Sequence, residues 1–348
     1  MKKLFLSIVA AMLVSMSAMA QQAVAVLTHD GTSKTFNGYT ALQDAYAASA
    51  SGDLITLGSG TFGSISTVEK AITIRGAGMA YDSIYNTQPT IISGNIILDI
   101  PDTETKRFLM EGVFHNDIVY YKHTQQKPQF VKCRLYDVDR LEYTELGTKE
   151  TGKMVDANFL QCKIVCNFRL NKNSSASLIN CYVRHPTCVN DTTSVFFLKN
   201  CNVAPYPYSS NATALLYSST CVNCIFMKSS TSTGLGLKLN DNTLFSNCLI
   251  YKGTTPDKSK NSYTNFDTME SVFQTYTGSY TEDEQFLLRD EVKTTSCDEL
   301  GREIGMNGGD FPFTTRVAGP HLKLFNADAH STTDGKLRVR LQVDTTIE

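Results

Sequence analysis

The sequence predicts an all-β solenoid, a single elongated domain of short parallel strands stacked in a column. One phrase recurs around Cys133, Cys162, Cys181, Cys201, Cys224 and Cys248: a polar residue precedes each cysteine, and an aliphatic or aromatic one follows two positions later. These cysteines are 29, 19, 20, 23 and 24 residues apart, and upstream the glycines at 58, 76, 94 and 112 are each 18 apart. Self-similarity at such a period marks repeats that bury their apolar faces only by stacking on one another. The alternating segments Ile72-Thr73-Ile74 and Thr90-Ile91-Ile92 give the repeats their strand character.

Taken in order, the chain opens with Lys2 and Lys3, an apolar run over residues 4–14, and Ala18-Met19-Ala20. This is the layout of a cleaved secretory signal over residues 1–20, so the protein is expected to be exported to the periplasm, cell surface or medium. Residues 24–27 and 33–36 flank Asp30-Gly31 as a hairpin. Thr40, with Gln43 three residues on, reads as a capping box opening a short helix. Together residues 21–53 form an N-terminal cap over the open edge of the first strands.

The repeats then occupy residues 54–313, with Gly112 expected where later repeats carry cysteine. Asn180, Asn200, Asn223 and Asn247 each precede a ladder cysteine. A parity break there demands a bend, and asparagine tolerates the left-handed backbone a bend uses. Residues 257–300 lose the pattern and read as irregular repeats or a long loop. Residues 314–348 end the chain in two strands around Asp334-Gly335, a C-terminal hairpin.

Ten cysteines in an exported chain suggest disulfides. The six in the ladder are instead expected reduced, as small apolar groups in an internal file. Cys166, Cys188, Cys221 and Cys297 fall outside it and could pair. Cys221 and Cys224 form a lone C-x-x-C, with no second pair at zinc-ligand spacing. Without Lys2 and Lys3 the chain has 30 basic and 34 acidic residues. That balance argues against a nucleic-acid partner, and no second long apolar run suggests a membrane span.

Several segments resemble secreted bacterial pectin-lyase-like proteins, including their uncharacterised exported members. They are Ala41-Leu42-Gln43-Asp44-Ala45, Gly52-Asp53-Leu54-Ile55-Thr56-Leu57, Gly60-Thr61-Phe62, Ile72-Thr73-Ile74-Arg75-Gly76-Ala77-Gly78 and the closing Glu303-Ile304-Gly305-Met306-Asn307-Gly308-Gly309-Asp310-Phe311-Pro312-Phe313. The resemblance implies a single-stranded right-handed parallel β-helix. It implies no one activity, because that fold hosts lyases, glycosidases, esterases, adhesins and proteins with none known. The N-T-D, paired-aspartate, G-H-G and R-I-K strings of polygalacturonase-like enzymes do not occur, nor does the Arg-x-Pro-x-x-Arg of many pectate lyases. No catalytic residue is therefore assigned, and Arg184-His185-Pro186 is only an echo of the last motif.

Two regions hold candidate ligand-binding residues. The longest gap between ladder cysteines contains Tyr136, Asp137, Asp139 and Glu142, expected in a surface excursion whose carboxylates and tyrosines suit a sugar or Ca²⁺. No glycine-bearing 12-residue calcium loop is present, and no cofactor is otherwise expected. Beside the ladder, Arg134, Lys163 and Tyr182 should face outward on successive repeats, with Tyr136 and Arg184 two residues further on. Such a basic and aromatic strip suits an acidic polysaccharide, whereas His185 reads as a turn residue. Three readings follow: a non-catalytic glycan or surface binder, a polysaccharide lyase or glycoside hydrolase, and a structural cell-envelope protein. The oligomeric state is not legible in the residues.

Overall fold

A computed structural model describes residues 23–140, 152–188, 193–204, 214–228, 237–239, 242–252, 256–276, 285–317, 321–327 and 339–344. The expected signal segment, Glu142 with most of its excursion, and Asp334-Gly335 lie outside the described residues. The protein is all-β, mostly parallel, with few helices, an arrangement compatible with a solenoid.

Two long sheets carry the repeats, one of 11 strands and one of 16. In the first, Leu54–Leu57 pairs in parallel with Thr73–Arg75, and the order continues, one strand per repeat, to Leu244–Ser246. The register places Ile55, Ile74, Met110, Phe130, Phe159, Leu178, Leu198, Cys221 and Phe245 in one inward file. All nine are buried, and the Phe130 and Phe159 rings stack with centroids 4.8 Å apart. Burying each such side chain contributes roughly 1.5–3 kcal/mol, which only the adjacent repeat can supply.

The first sheet turns into the second at the cysteine phrase. Lys132, Gln161, Asn180, Asn200, Asn223 and Asn247 all adopt left-handed φ, between 49° and 54°, so the asparagine ladder is a ladder of turns. The six following cysteines are buried. Their thiols donate to carbonyl oxygens, as Cys162 Sγ does to Phe130 O at 3.3 Å and Leu160 O at 3.4 Å. All ten cysteines are free thiols. Gly112 corrects one expectation. With φ of 66° it occupies the turn position in register with Lys132, and Val113 fills the cysteine's place.

At the N-terminal end, Val24–His29 pairs antiparallel with Thr32–Asn37 and with Leu54–Leu57. The helix Ala41–Ala48 buries Ala41, Leu42 and Ala45. It has no capping box: the Thr40 hydroxyl donates to Asp44 Oδ2 at 3.0 Å, and the Gln43 amide reaches Ser64 O at 2.9 Å. The terminal strands His321–Ala327 and Val339–Asp344 pair antiparallel.

The surface excursion expected at Tyr136, Asp137 and Asp139 is not found at those residues. Tyr136, Asp137 and Asp139 belong to the strand Arg134–Arg140, paired in parallel with Phe114–Tyr121. A register shift between His115 and Ile118 realigns that neighbour and gives residues 137–140 a partner.

Candidate functional site

Residues 297–317 form a strap that returns along the outside of the turn ladder. It is gripped through its own backbone. Asn247 Nδ2 donates to Cys297 O at 2.8 Å, Asn180 Nδ2 donates to Met306 O at 2.9 Å and Gly308 O at 2.5 Å, and Gln161 Nε2 reaches Phe311 O and Pro312 O. In the other direction Gly305 N donates to Asn223 O and Met306 N to Asn202 Oδ1. A Cβ on Gly309, whose φ is 72°, would lie 1.7 Å from Asn200 Nδ2, and one on Gly308 would lie 1.6 Å from Glu303 O. Gly309 therefore lets the strap settle onto the ladder, and Gly308 lets the strap fold closely on itself. Its far end reaches the early repeats, where a Cβ on Gly112 would meet Val317 at 2.4 Å and Arg316 faces Asp82 at 3.4 Å.

The predicted strip does not stay one open surface. Arg134, Lys163 and Tyr182 do stand on successive repeats, in direct register. Tyr182, however, is not an open outward residue. Its ring stacks on Phe286 with centroids 5.2 Å apart and planes 10° from parallel, and only 4% of its surface remains exposed. Arg184 Nε donates to the Tyr182 hydroxyl at 3.3 Å.

Arg134 and Lys163 instead line a cleft of about 500 Å³ between the sheet and the strap. Its other walls include Tyr81, Asn307, Phe313 and Arg316. Arg134 stacks on Phe114, 4.2 Å from the ring centroid, and Lys163 Nζ lies 5.5 Å from that of Phe313. Among the described residues, three cations enter the lining and no carboxylate does. The cleft is thus chemically suited to an anion, with aromatic rings for the flat face of a sugar.

Asp137 and Asp139 lie elsewhere, at the corner where the strand Arg134–Arg140 leaves the cleft. There Asp137, Asn167 and His185 form a polar file on three repeats: Asn167 Nδ2 donates to Asp137 Oδ2 at 2.9 Å, and His185 Nδ1 lies 2.9 Å from Asn167 Oδ1. The amide oxygen can only accept, so His185 Nδ1 carries the proton. His185 is also a left-handed turn residue, with φ of 50°. Burial, reinforced by the charge of Asp139, raises the Asp137 carboxyl to about 6 against the opposing Asn167 hydrogen bond and Arg169 charge. Asp139 is ion-paired with Arg169. The half-buried thiol of Cys166 sits 3.2 Å from Asn167 Nδ2, and burial raises its pKa as well.

Asn167, Arg169, Phe313 and Arg316 were not singled out from sequence. Asn167 and Arg169 occupy the repeat after Asp137 and Asp139, so strict register could have found them. Phe313 and Arg316 arrive through the strap, which periodicity does not address. Among the described residues, no group of three or more His, Cys, Asp or Glu is placed to hold a metal ion, and no helix is long and apolar enough to cross a membrane. No protein-family model, no curated protein and no solved structure matches this chain.

Proposed function

We propose that this is an exported right-handed parallel β-helix of the pectin-lyase-like kind that binds an anionic glycan without cleaving it. The observation that carries the reading is the cleft, in which Arg134, Lys163 and Arg316 gather beside Tyr81 and Phe313 with no carboxylate among the described lining residues. Cations stacked on rings hold their positions before a ligand arrives, which lowers the ordering cost of binding. Among the described residues the lining holds no histidine and no carboxylate to serve as general base. In-register parallel strands with left-handed turns support the β-helix. The Lys2, Lys3 and apolar 4–14 pattern supports export.

The test is a panel of acidic and neutral polysaccharides presented to the mature chain, scored for retention and for released product. Retention on acidic members alone, without product, and its loss in Arg134→Ala and Lys163→Ala, is the expected result. Retention on none of them, or release of unsaturated uronides, contradicts the reading.

A further inference from the structure

The cleft has walls of two kinds. On the sheet, Arg134 and Lys163 are register partners on adjacent strands, about 5 Å apart along the stack, so one carboxylate can meet both. Elsewhere the lining is apolar, with Met79, Leu287 and Met306 among its residues. Asn307 stands between the last two. It follows Met306 in the chain, and its Nδ2 donates to Gln285 O at 2.8 Å and Phe286 O at 3.3 Å, next to Leu287. With the nitrogen turned to those carbonyls, Oδ1 is fixed as an acceptor, on a partly exposed side chain that itself lines the cleft. Among the described residues no donor takes that oxygen.

A cleft of about 500 Å³ is the size of a small-ligand pocket, so these groups meet one sugar unit and its substituents. A plain uronic acid uses the cations and leaves the apolar wall unmatched. An acetamido group fits what remains: its N–H has an acceptor in Asn307 Oδ1, and its methyl has apolar partners in Leu287 and Met306. Resting on the anionic-glycan reading of the cleft, we propose that the sugar it takes is both acidic and N-acylated, with its carboxylate against Arg134 and Lys163 and its acyl group against Asn307, Leu287 and Met306. A hydroxyl in place of the acyl group still gives Asn307 a donor. It leaves the apolar wall in contact with water, however, and that difference supplies the discrimination.

The experiment measures, by NMR titration of the intact chain, the affinity of two sugars of equal charge: N-acetylneuraminic acid and its deaminated counterpart, in which a hydroxyl replaces the acetamido group. The acetylated sugar should bind about tenfold tighter, and its acetyl methyl should receive the strongest saturation transfer from the protein. Leu287→Ser, at a position 41% exposed, should cut that preference below about threefold, whereas Lys163→Ala should weaken both sugars by a similar factor. Equal affinity for the two sugars, or a preference that Leu287→Ser leaves intact, overturns the acyl site. If Lys163→Ala still weakens both, the cleft stands as an anion site without it. Binding of neither sugar also overturns the acyl site, and retention or loss of acidic polysaccharides on the panel above then decides separately whether the cleft reading survives.

Discussion

Asp137→Asn should stabilise the protein at neutral pH and not in acid. The folded carboxyl titrates at about 6, against 3.8 for the unperturbed group. Below 3.8 it is protonated in both folded and unfolded chains and contributes no difference. As pH rises from 3.8 to about 6, the unfolded chain releases its proton while the folded one retains it, so stability falls. Above about 6 the loss is complete. A gap of about two pH units at 1.36 kcal/mol each is about 3 kcal/mol, an upper bound because relaxation around the corner lowers it. Asparagine cannot ionise, so it removes this loss. Its unpaired amide N–H gives back about 1 kcal/mol, leaving a net gain of about 1–2 kcal/mol at pH 7. Thermal unfolding of both chains at pH 4 and pH 7 measures the difference. A gain of the same size at both pH values, or none at pH 7, would refute the assignment of a buried, proton-retaining carboxyl.

Three further outcomes follow from the packing. Gly308→Ala places a methyl group against Glu303 O. It should cost at least about 2 kcal/mol and open residues 297–317 to limited proteolysis while the stacked strands stay protected. His115 is buried with its pKa lowered by that burial, and Nε2 lies 2.9 Å from Gly94 O. Its neutral form is favoured on folding, so stability should fall as pH drops below about 6.5, and His115→Leu should move acid unfolding to lower pH. Finally, eight of the ten thiols are buried and two, Cys166 and Cys297, are partly exposed. A thiol-specific reagent should modify no more than these two in the native protein and all ten after unfolding.

The long parallel sheets were legible because a strand's inward file repeats with fixed parity. Cysteine and the residue two beyond it had to share a face, and the asparagine before it had to turn. Gly112 was misplaced by one position for a related reason. Glycine satisfies the turn as well as asparagine does, and Val113, an ordinary core residue, gave no sign that it stood in the cysteine file. The corner strand was hidden because Asp137 and Asp139 look like loop residues until the shift at His115 brings Ile118–Tyr121 beside them. Half the cleft was equally hidden. Arg134 and Lys163 follow from register, but the segment opposite them is recognised through backbone carbonyls, and its route cannot be read from side-chain periodicity. The contact that buries Tyr182 was hidden as well, since Phe286 comes from a region without repeats.

The most direct test of an anion-selective cleft is the affinity of the intact chain for an acidic oligosaccharide before and after Lys163→Glu, with a neutral oligosaccharide as control. Reversing one of three cations should weaken the acidic ligand by at least about tenfold and leave the neutral one unchanged. Equal affinity of both chains for the acidic ligand would contradict the account.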